Sequence, residues 1–334
     1  IIAETLNLKM VLDERSLSII KDRFAMFNRT MPESNVRQAY FPQGAIILDN
    51  EKGTAPACII ELKEENKCIV VLPGPPREMS HLYETYVKAY LKTKNAIKMY
   101  SVYLSVYDYG ESAVEEKLLD LIAEQTNPTI ATYAGDGKVL LRVTASGEDE
   151  QKNIDSVDSF VKIIKERIGN YIVSESGDDI DKAVFDLLIE KGLKIALVES
   201  CTGGKLTSAL IKHSGASEVV DCGLVTYSND AKVREVNVSR DTLQRFGAVS
   251  HQTCYEMVKG VVAKTGADIG ISVTGIAGPL GGTTEKPVGL VYIGISIGGE
   301  IYTFENKFSG DRDLIQNRTI YKALKILFDY LSKM

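Results

Sequence analysis

The chain is short of several features that would point to particular classes of function. It holds no cluster of lysine and arginine and its formal net charge is −6. An extended phosphate backbone needs a basic face that displaces counterions, so no nucleic-acid partner is expected, while small anionic ligands stay open. No apolar run approaches the roughly 20 residues that cross a bilayer, so no membrane segment is expected. The five cysteines, Cys58, Cys68, Cys201, Cys222 and Cys254, are odd in number and form no Cys-x-x-Cys pair. In a chain of this length that disfavours a disulfide framework or a zinc site and fits a reducing cytoplasm. The three histidines, His81, His213 and His251, are not at metal-ligand spacing from one another, and no structural metal is expected. Internal repeats and low-complexity tracts are absent. The chain also lacks an initial methionine: Ile1-Ile2-Ala3-Glu4-Thr5-Leu6 reads as a running amphipathic helix, so the start is expected to be missing.

What is present is the composition of an ordinary folded protein, with 334 residues, 44% hydrophobic and 25% charged. At roughly 150 residues per domain that gives two domains or more, each able to bury its own core. Ile180, Val184, Leu187 and Leu188 recur at helical spacing over 178–191, with Asp178 or Asp179 as cap and Gly192 as stop. Lys194 to Val198 reads as a strand, Lys205 onward as a helix, and Cys222 to Tyr227 as another buried strand. Ser250 is placed to cap a helix that Gly266 ends, ahead of a strand from Ile269 to Val273. Gly298-Gly299 joins two strands as a hairpin, Val288 to Ile297 and Glu300 to Phe308, and a last helix from Asp311 carries Leu314, Arg318, Tyr321, Leu324 and Phe328 on one stripe. Alternating strands and helices imply a three-layer α/β domain from about residue 175. Upstream, strands Met99 to Val106 and Val139 to Ala145 and helices Glu111 to Gln125 and Asp149 to Ile168 outline a small α/β module. The first 95 or so residues mix a helix and short strands with two proline-glycine turns, at Phe41-Pro42-Gln43-Gly44 and at Leu72 to Pro76.

Three segments at strand ends carry candidate chemistry. Glu199-Ser200-Cys201-Thr202-Gly203-Gly204 falls between a strand and a helix, where glycines let backbone approach a ligand and helix-terminal amides favour an anion such as phosphate. An ordinary capping turn would use the same residues. Thr226-Tyr227-Ser228-Asn229-Asp230-Ala231-Lys232 ends the next strand and should open on the same edge. One turn into a helix, Lys232 is either a solvated lysine or a shielded one that gives up its proton and acts as a base. Thr274-Gly275 to Gly281-Gly282, with Gly278 between, is either a flexible surface loop or a set of amides aimed at a phosphate or oxyanion. Cys201 is a second potential nucleophile at a helix start.

With Phe246-Gly247-Ala248-Val249-Ser250 and Gly310-Asp311-Arg312 added, these segments resemble the C-terminal domain of the competence/damage-inducible protein A (CinA) family over about 155 residues in order. The resemblance implies a nicotinamide mononucleotide deamidase that releases ammonia without a metal. It places Ser200 as nucleophile, Lys232 as proton acceptor and donor and Tyr227 as its partner. Cys201, Thr202, Gly203, Gly204, Asn229, Thr274, Gly275, Gly278, Gly281, Gly282 and Arg312 would then hold substrate, with Arg312 neutralising its phosphate. With no histidine in these motifs, Ser-Lys logic is expected rather than a Ser-His-Asp triad. The family has an arginine where Gln316 stands, with Arg318 two positions on.

Phe41 to Ala45, Gly53-Thr54-Ala55-Pro56 and Leu72 to Met79 resemble the second half of the molybdopterin-binding-like domain that precedes the deamidase. That domain is linked in the family to metal-dependent ADP-ribose hydrolysis, so a divalent metal there is an expectation tied to a complete domain. Tyr109-Gly110-Glu111-Ser112 resembles the intervening KH-like module, without the Gly-x-x-Gly clamp of an RNA binder. The resulting division is 1–96, 97–174 and 175–334. A metal-dependent ADP-ribose pyrophosphatase acting through the N-terminal domain and a non-catalytic nucleotide-sensing accessory of DNA uptake are the alternative readings, and a homodimer, with the hairpin after residue 288 at its edge, is the expected assembly.

Overall fold

The computed structural model describes residues 1–94 and 97–334, and the chain forms two compact units, 1–97 and 98–334. The first unit holds helices α1 (Ile2–Thr5), α2 (Glu14–Met26), α3 (Pro76–Leu82) and α4 (Lys88–Lys94) and five short strands. Strands β1 (Met10–Leu12) and β2 (Tyr40–Pro42) pair antiparallel, and β3 (Ile46–Leu48), β4 (Ala57–Leu62) and β5 (Lys67–Val71) form an antiparallel sheet. The amphipathic start is realised only as the single helical turn α1. Asp13 caps α2 by accepting from the Ser16 amide, and Arg23 ties that helix to the carbonyls of Asn50, Glu51 and Gly53.

The second unit begins with an antiparallel sheet in the order β7-β8-β6-β9, built from β6 (Lys98–Tyr107), β7 (Thr129–Gly135), β8 (Lys138–Gly147) and β9 (Ile172–Ser174). Helices α5 (Glu111–Lys117), α6 (Leu119–Ala123) and α7 (Glu150–Ile168) bury one face of it around Leu104, Val106, Leu141, Val143 and Ile164. The single helix expected over Glu111 to Gln125 is broken at Leu118. Strands β7 and β9, absent from the sequence reading, complete the sheet.

From there the chain alternates α8 (Ile180–Lys191), β10 (Ile195–Glu199), α9 (Lys205–Ile211), β11 (Val220–Val225), α10 (Asn229–Val236), α11 (Arg240–Phe246), α12 (His251–Thr265), β12 (Ile269–Gly275), β13 (Leu290–Ile297), β14 (Glu300–Lys307) and α13 (Arg312–Leu331). The sheet order is β11-β10-β12-β13-β14, with β10 parallel to both neighbours and β13 and β14 antiparallel. Because side chains alternate along a strand, Ile195 and Leu197 join the core with α8, α9 and α13, and Ala196 and Val198 join the one with α10 and α12. The chain leaves β10 for β11 on one side and comes back to β12 on the other. That reversal is the topological switch point where open α/β sheets bind ligands, outside the carboxyl ends of their strands.

Two expectations are corrected. The strand after α9 is Val220–Val225 at a sheet edge; its residues alternate in exposure and Val225 is 50% exposed, so it is not the buried strand read from Cys222 to Tyr227. The stripe read along α13 is a flank: apart from Leu324 its members are only half-buried, and the core takes Ile315, Thr319, Ala323, Leu327 and Leu331. Asp179 does occupy the cap position of α8, but its side chain makes no capping bond and instead meets Lys138 and the Tyr107 hydroxyl. Tyr107 thereby carries β6 into the C-terminal core, where its ring meets that of Tyr321 edge-on at 5.5 Å.

Candidate functional site

Ser200 follows β10, and its amide donates to Val273 of β12 at 2.9 Å. The same alternation that sorts the core sends Glu199 toward α9 and Ser200 toward α10. Ser228 caps α10 by accepting from the Ala231 amide, and one turn into that helix Lys232 lies 1% exposed. Its Nζ is 3.0 Å from Ser200 Oγ, 2.8 Å from the Thr226 carbonyl and 3.4 Å from the Tyr227 carbonyl. No carboxylate pairs with Lys232 among the described residues. Burial therefore lowers its pKa from the ordinary lysine value. A neutral amine has two N–H groups and one lone pair: the two carbonyls can take the N–H groups, leaving the lone pair to accept from the Ser200 hydroxyl.

This pair lines a cavity of about 240 Å³ that Cys201, Tyr227, Thr274, Gly278 and Arg312 also line. Arg312 begins α13 and donates to the Gly278 carbonyl at 2.8 Å and to the Tyr227 hydroxyl at 3.3 Å. Tyr227 is 64% exposed, so its backbone, not its phenol, serves Lys232. Thr274 donates its hydroxyl to the Ala248 carbonyl at 2.7 Å. That bond uses its proton, so amides are the better oxyanion donors. Those of Ala277, Gly278 and Gly281 on the glycine loop have no hydrogen-bond partner among the described residues.

The amides at the start of α9 are not available to a ligand. Glu199, wholly buried, accepts from the backbone N–H groups of Gly204 (3.0 Å), Leu206 (3.1 Å) and Thr207 (2.7 Å) and from the Thr207 hydroxyl (2.6 Å). The expected phosphate-binding turn at Gly203 and Gly204 thus holds an internal carboxylate. The glycines serve its geometry: Gly203 and Gly204 adopt φ of +63° and +95°. Thr202 is buried with its hydroxyl unpartnered. Asn229 is exposed on α10, and Gly282 stands where a Cβ would meet the Val288 amide at 2.8 Å; none of the three lines the cavity.

Cys201 lines the cavity, but burial pushes its thiol up to about 12. Its carbonyl accepts from Gln316 at 2.7 Å, so Gln316 secures the turn that follows Ser200. Arg318 points elsewhere and bonds Ser309, which leaves Arg312 as the arginine of this cavity. Reading by motif missed the lining residues Val249, Ile276 and Leu280 and the parts played by Glu199 and Gln316. Phe246 to Ser250 was visible as a motif, and Val249 lies inside it. Among the described residues no group of three or more His, Cys, Asp or Glu side chains is arranged to hold a metal, and no helix is long and apolar enough to cross a membrane.

Residues 177–331 match the family described as CinA C-terminal domain, and residues 101–174 match the Damage-inducible protein CinA KH domain. A CinA-like protein of Dictyoglomus turgidum is 44% identical over 97% of this chain and 79% of its own length. A putative competence-damage inducible protein of Clostridioides difficile is 44% identical over 99% of this chain and 81% of its own. Among solved structures, a competence-damaged protein (CinA) superfamily member from Klebsiella pneumoniae aligns with a TM-score of 0.45 at 34% identity, covering 46% of this chain and 97% of that one.

Proposed function

Since the chain belongs to the CinA family, we propose that its C-terminal site is an amidohydrolase that converts nicotinamide mononucleotide to nicotinic acid mononucleotide and ammonia. The observation that carries the proposal is the buried Lys232 amine, 3.0 Å from Ser200 Oγ with no carboxylate partner among the described residues. A lysine held in that way serves as a general base at moderate pH. Ser200 Oγ attacks the carboxamide carbon as its proton passes to Lys232. The tetrahedral oxyanion is met by amides of the Ala277 to Gly281 loop, and Lys232 returns the proton to the nitrogen as the C–N bond breaks and ammonia leaves. Water, deprotonated by the same amine, then attacks the acyl-serine ester, and Lys232 returns that proton to Ser200 Oγ as its bond to the acyl carbon breaks and nicotinic acid mononucleotide leaves. Arg312, with N–H groups beyond those bonded to Gly278 and Tyr227, supplies positive charge for the phosphate. No step needs a metal.

The test is ammonia release from nicotinamide mononucleotide by the purified full chain. Ser200→Ala and Lys232→Ala should each lose at least about a hundredfold in kcat, the low end of what a positioned base contributes. Equal rates in the wild type and both variants would overturn the mechanism, and no ammonia from the wild type would overturn the substrate.

A further inference from the structure

A cavity larger than the one at Ser200 lies elsewhere in the second unit. It is a cleft of about 390 Å³, within the roughly 300–1,000 Å³ of ligand sites. One wall comes from the loop after β6 and the β7–β8 hairpin, the other from Phe308 and α13. Four cations line it, and three are already matched: Lys138 with Asp179, Lys322 with Asp108, Lys325 with Asp329. Arg318 has no carboxylate partner among the described residues; one guanidinium nitrogen donates to the Ser309 carbonyl and hydroxyl at 2.7 and 3.1 Å. The other N–H groups of its planar fork have no partner among the described residues, the geometry that grips an oxyanion bidentately. Beside it lie the rings of Tyr321 and Phe308, and across the cleft Glu111 is an acceptor without an ion-pair partner among the described residues. The hairpin comes so close that a Cβ on Gly137 would meet Tyr321 at 2.9 Å.

An open guanidinium, aromatic walls and an unpaired acceptor suit a ligand with a phosphate, a flat or apolar body and hydroxyl groups. We propose that this cleft is a second binding site, for a small phosphate monoester of about mononucleotide size. The site is linked to the Ser200 cavity through α13: Arg312 stands six residues before Arg318 on that helix, about 9 Å along the axis, and Ser309 lies in the loop leading to Arg312. A ligand that draws Arg318 from Ser309 acts on the segment that positions Arg312. Binding itself does not depend on the deamidase reading.

Hydrogen exchange and calorimetry on the full chain test this, with adenosine 5′-monophosphate and inorganic phosphate as separate probes. The monoester should protect 108–111, 135–139 and 308–322, and Arg318→Gln should weaken it at least about tenfold, the loss of one charge-assisted contact. In Arg312→Gln the same protection should persist. If Arg318→Gln fails to fold, Arg318→Lys keeps the charge without the fork and should still bind more weakly. Four results would overturn the proposal: protection confined to 227 and 275–281, Arg318 variants binding like wild type, no binding at about 10 mM, or inorganic phosphate binding as tightly as the monoester.

Discussion

Ser200 and Cys201 are adjacent, and either could be a nucleophile on sequence alone; their surroundings separate them. The Ser200 hydroxyl touches an amine whose pKa burial lowers, whereas the Cys201 thiol is hydrogen-bonded to no base among the described residues and burial holds its pKa at about 12. Cys201→Ala should therefore keep ammonia release within about tenfold of wild type while Ser200→Ala loses it. The reverse pattern in the assay would move the nucleophile by one residue. Lys232 makes a second prediction in pH. Its folded pKa lies below its unfolded one, so between the two the unfolded chain binds more protons and stability rises with pH. Below the folded value the buried ammonium is unfavourable. Lys232→Met should abolish activity, and its melting temperature relative to wild type should rise as pH falls, with about 2–4 °C for each kcal/mol in a domain of this size. The wild-type kcat/KM should climb with pH through an apparent pKa below the ordinary lysine range. A melting difference that shrinks on acidification would show that Lys232 is not destabilised by burial.

At the level of elements, β10 and α9 are joined by Glu199 more than by their turn. Four donors converge on its carboxylate, and each left unsatisfied costs about 1–3 kcal/mol. Glu199→Ala should lower stability by at least about 3 kcal/mol, read as a drop in the urea midpoint at unchanged slope; Glu199→Gln, which keeps one acceptor oxygen, should fall between. A midpoint within error of wild type would remove Glu199 from this role. The same residue shows where sequence reading stops. The strand-turn-helix pattern and its glycines were visible, because periodicity and turn chemistry are local. Which anion meets the helix amides was not, since it depends on the face toward which Glu199 points. Likewise α13 was found, starting at Asp311, but its core face was taken one residue out of phase, because Leu314, Tyr321 and Phe328 are apolar on the flank too. The break at Leu118 bears no glycine or proline, and β7 ends in Gly135-Asp136-Gly137, a turn overlooked in favour of the longer helical patterns around it.

On the scale of the molecule, the residues of the proposed active site run from Glu199 to Gln316 and so lie wholly in the second unit. A fragment of residues 98–334 should deamidate nicotinamide mononucleotide with kcat/KM within about threefold of the full chain, well inside the tenfold that 1.4 kcal/mol represents. Cutting at residue 175 is a different operation. Tyr107, 1% exposed, belongs to the core that includes Ile180, Val184 and Leu324, and its hydroxyl accepts from the Ile180 amide at 3.2 Å. Removing it uncovers apolar surface and leaves that amide and Asp179 without their partners from β6 and β8. Truncating a buried aromatic costs about 3–5 kcal/mol. The 175–334 fragment should accordingly keep the Ser200–Lys232 pair yet melt well below 98–334. Thermal unfolding of the two fragments, each monitored with its ammonia release, decides the matter. Equal melting temperatures would mean that β6 contributes nothing to the C-terminal core, and a dead 98–334 fragment beside an active full chain would place part of the active site in the first unit.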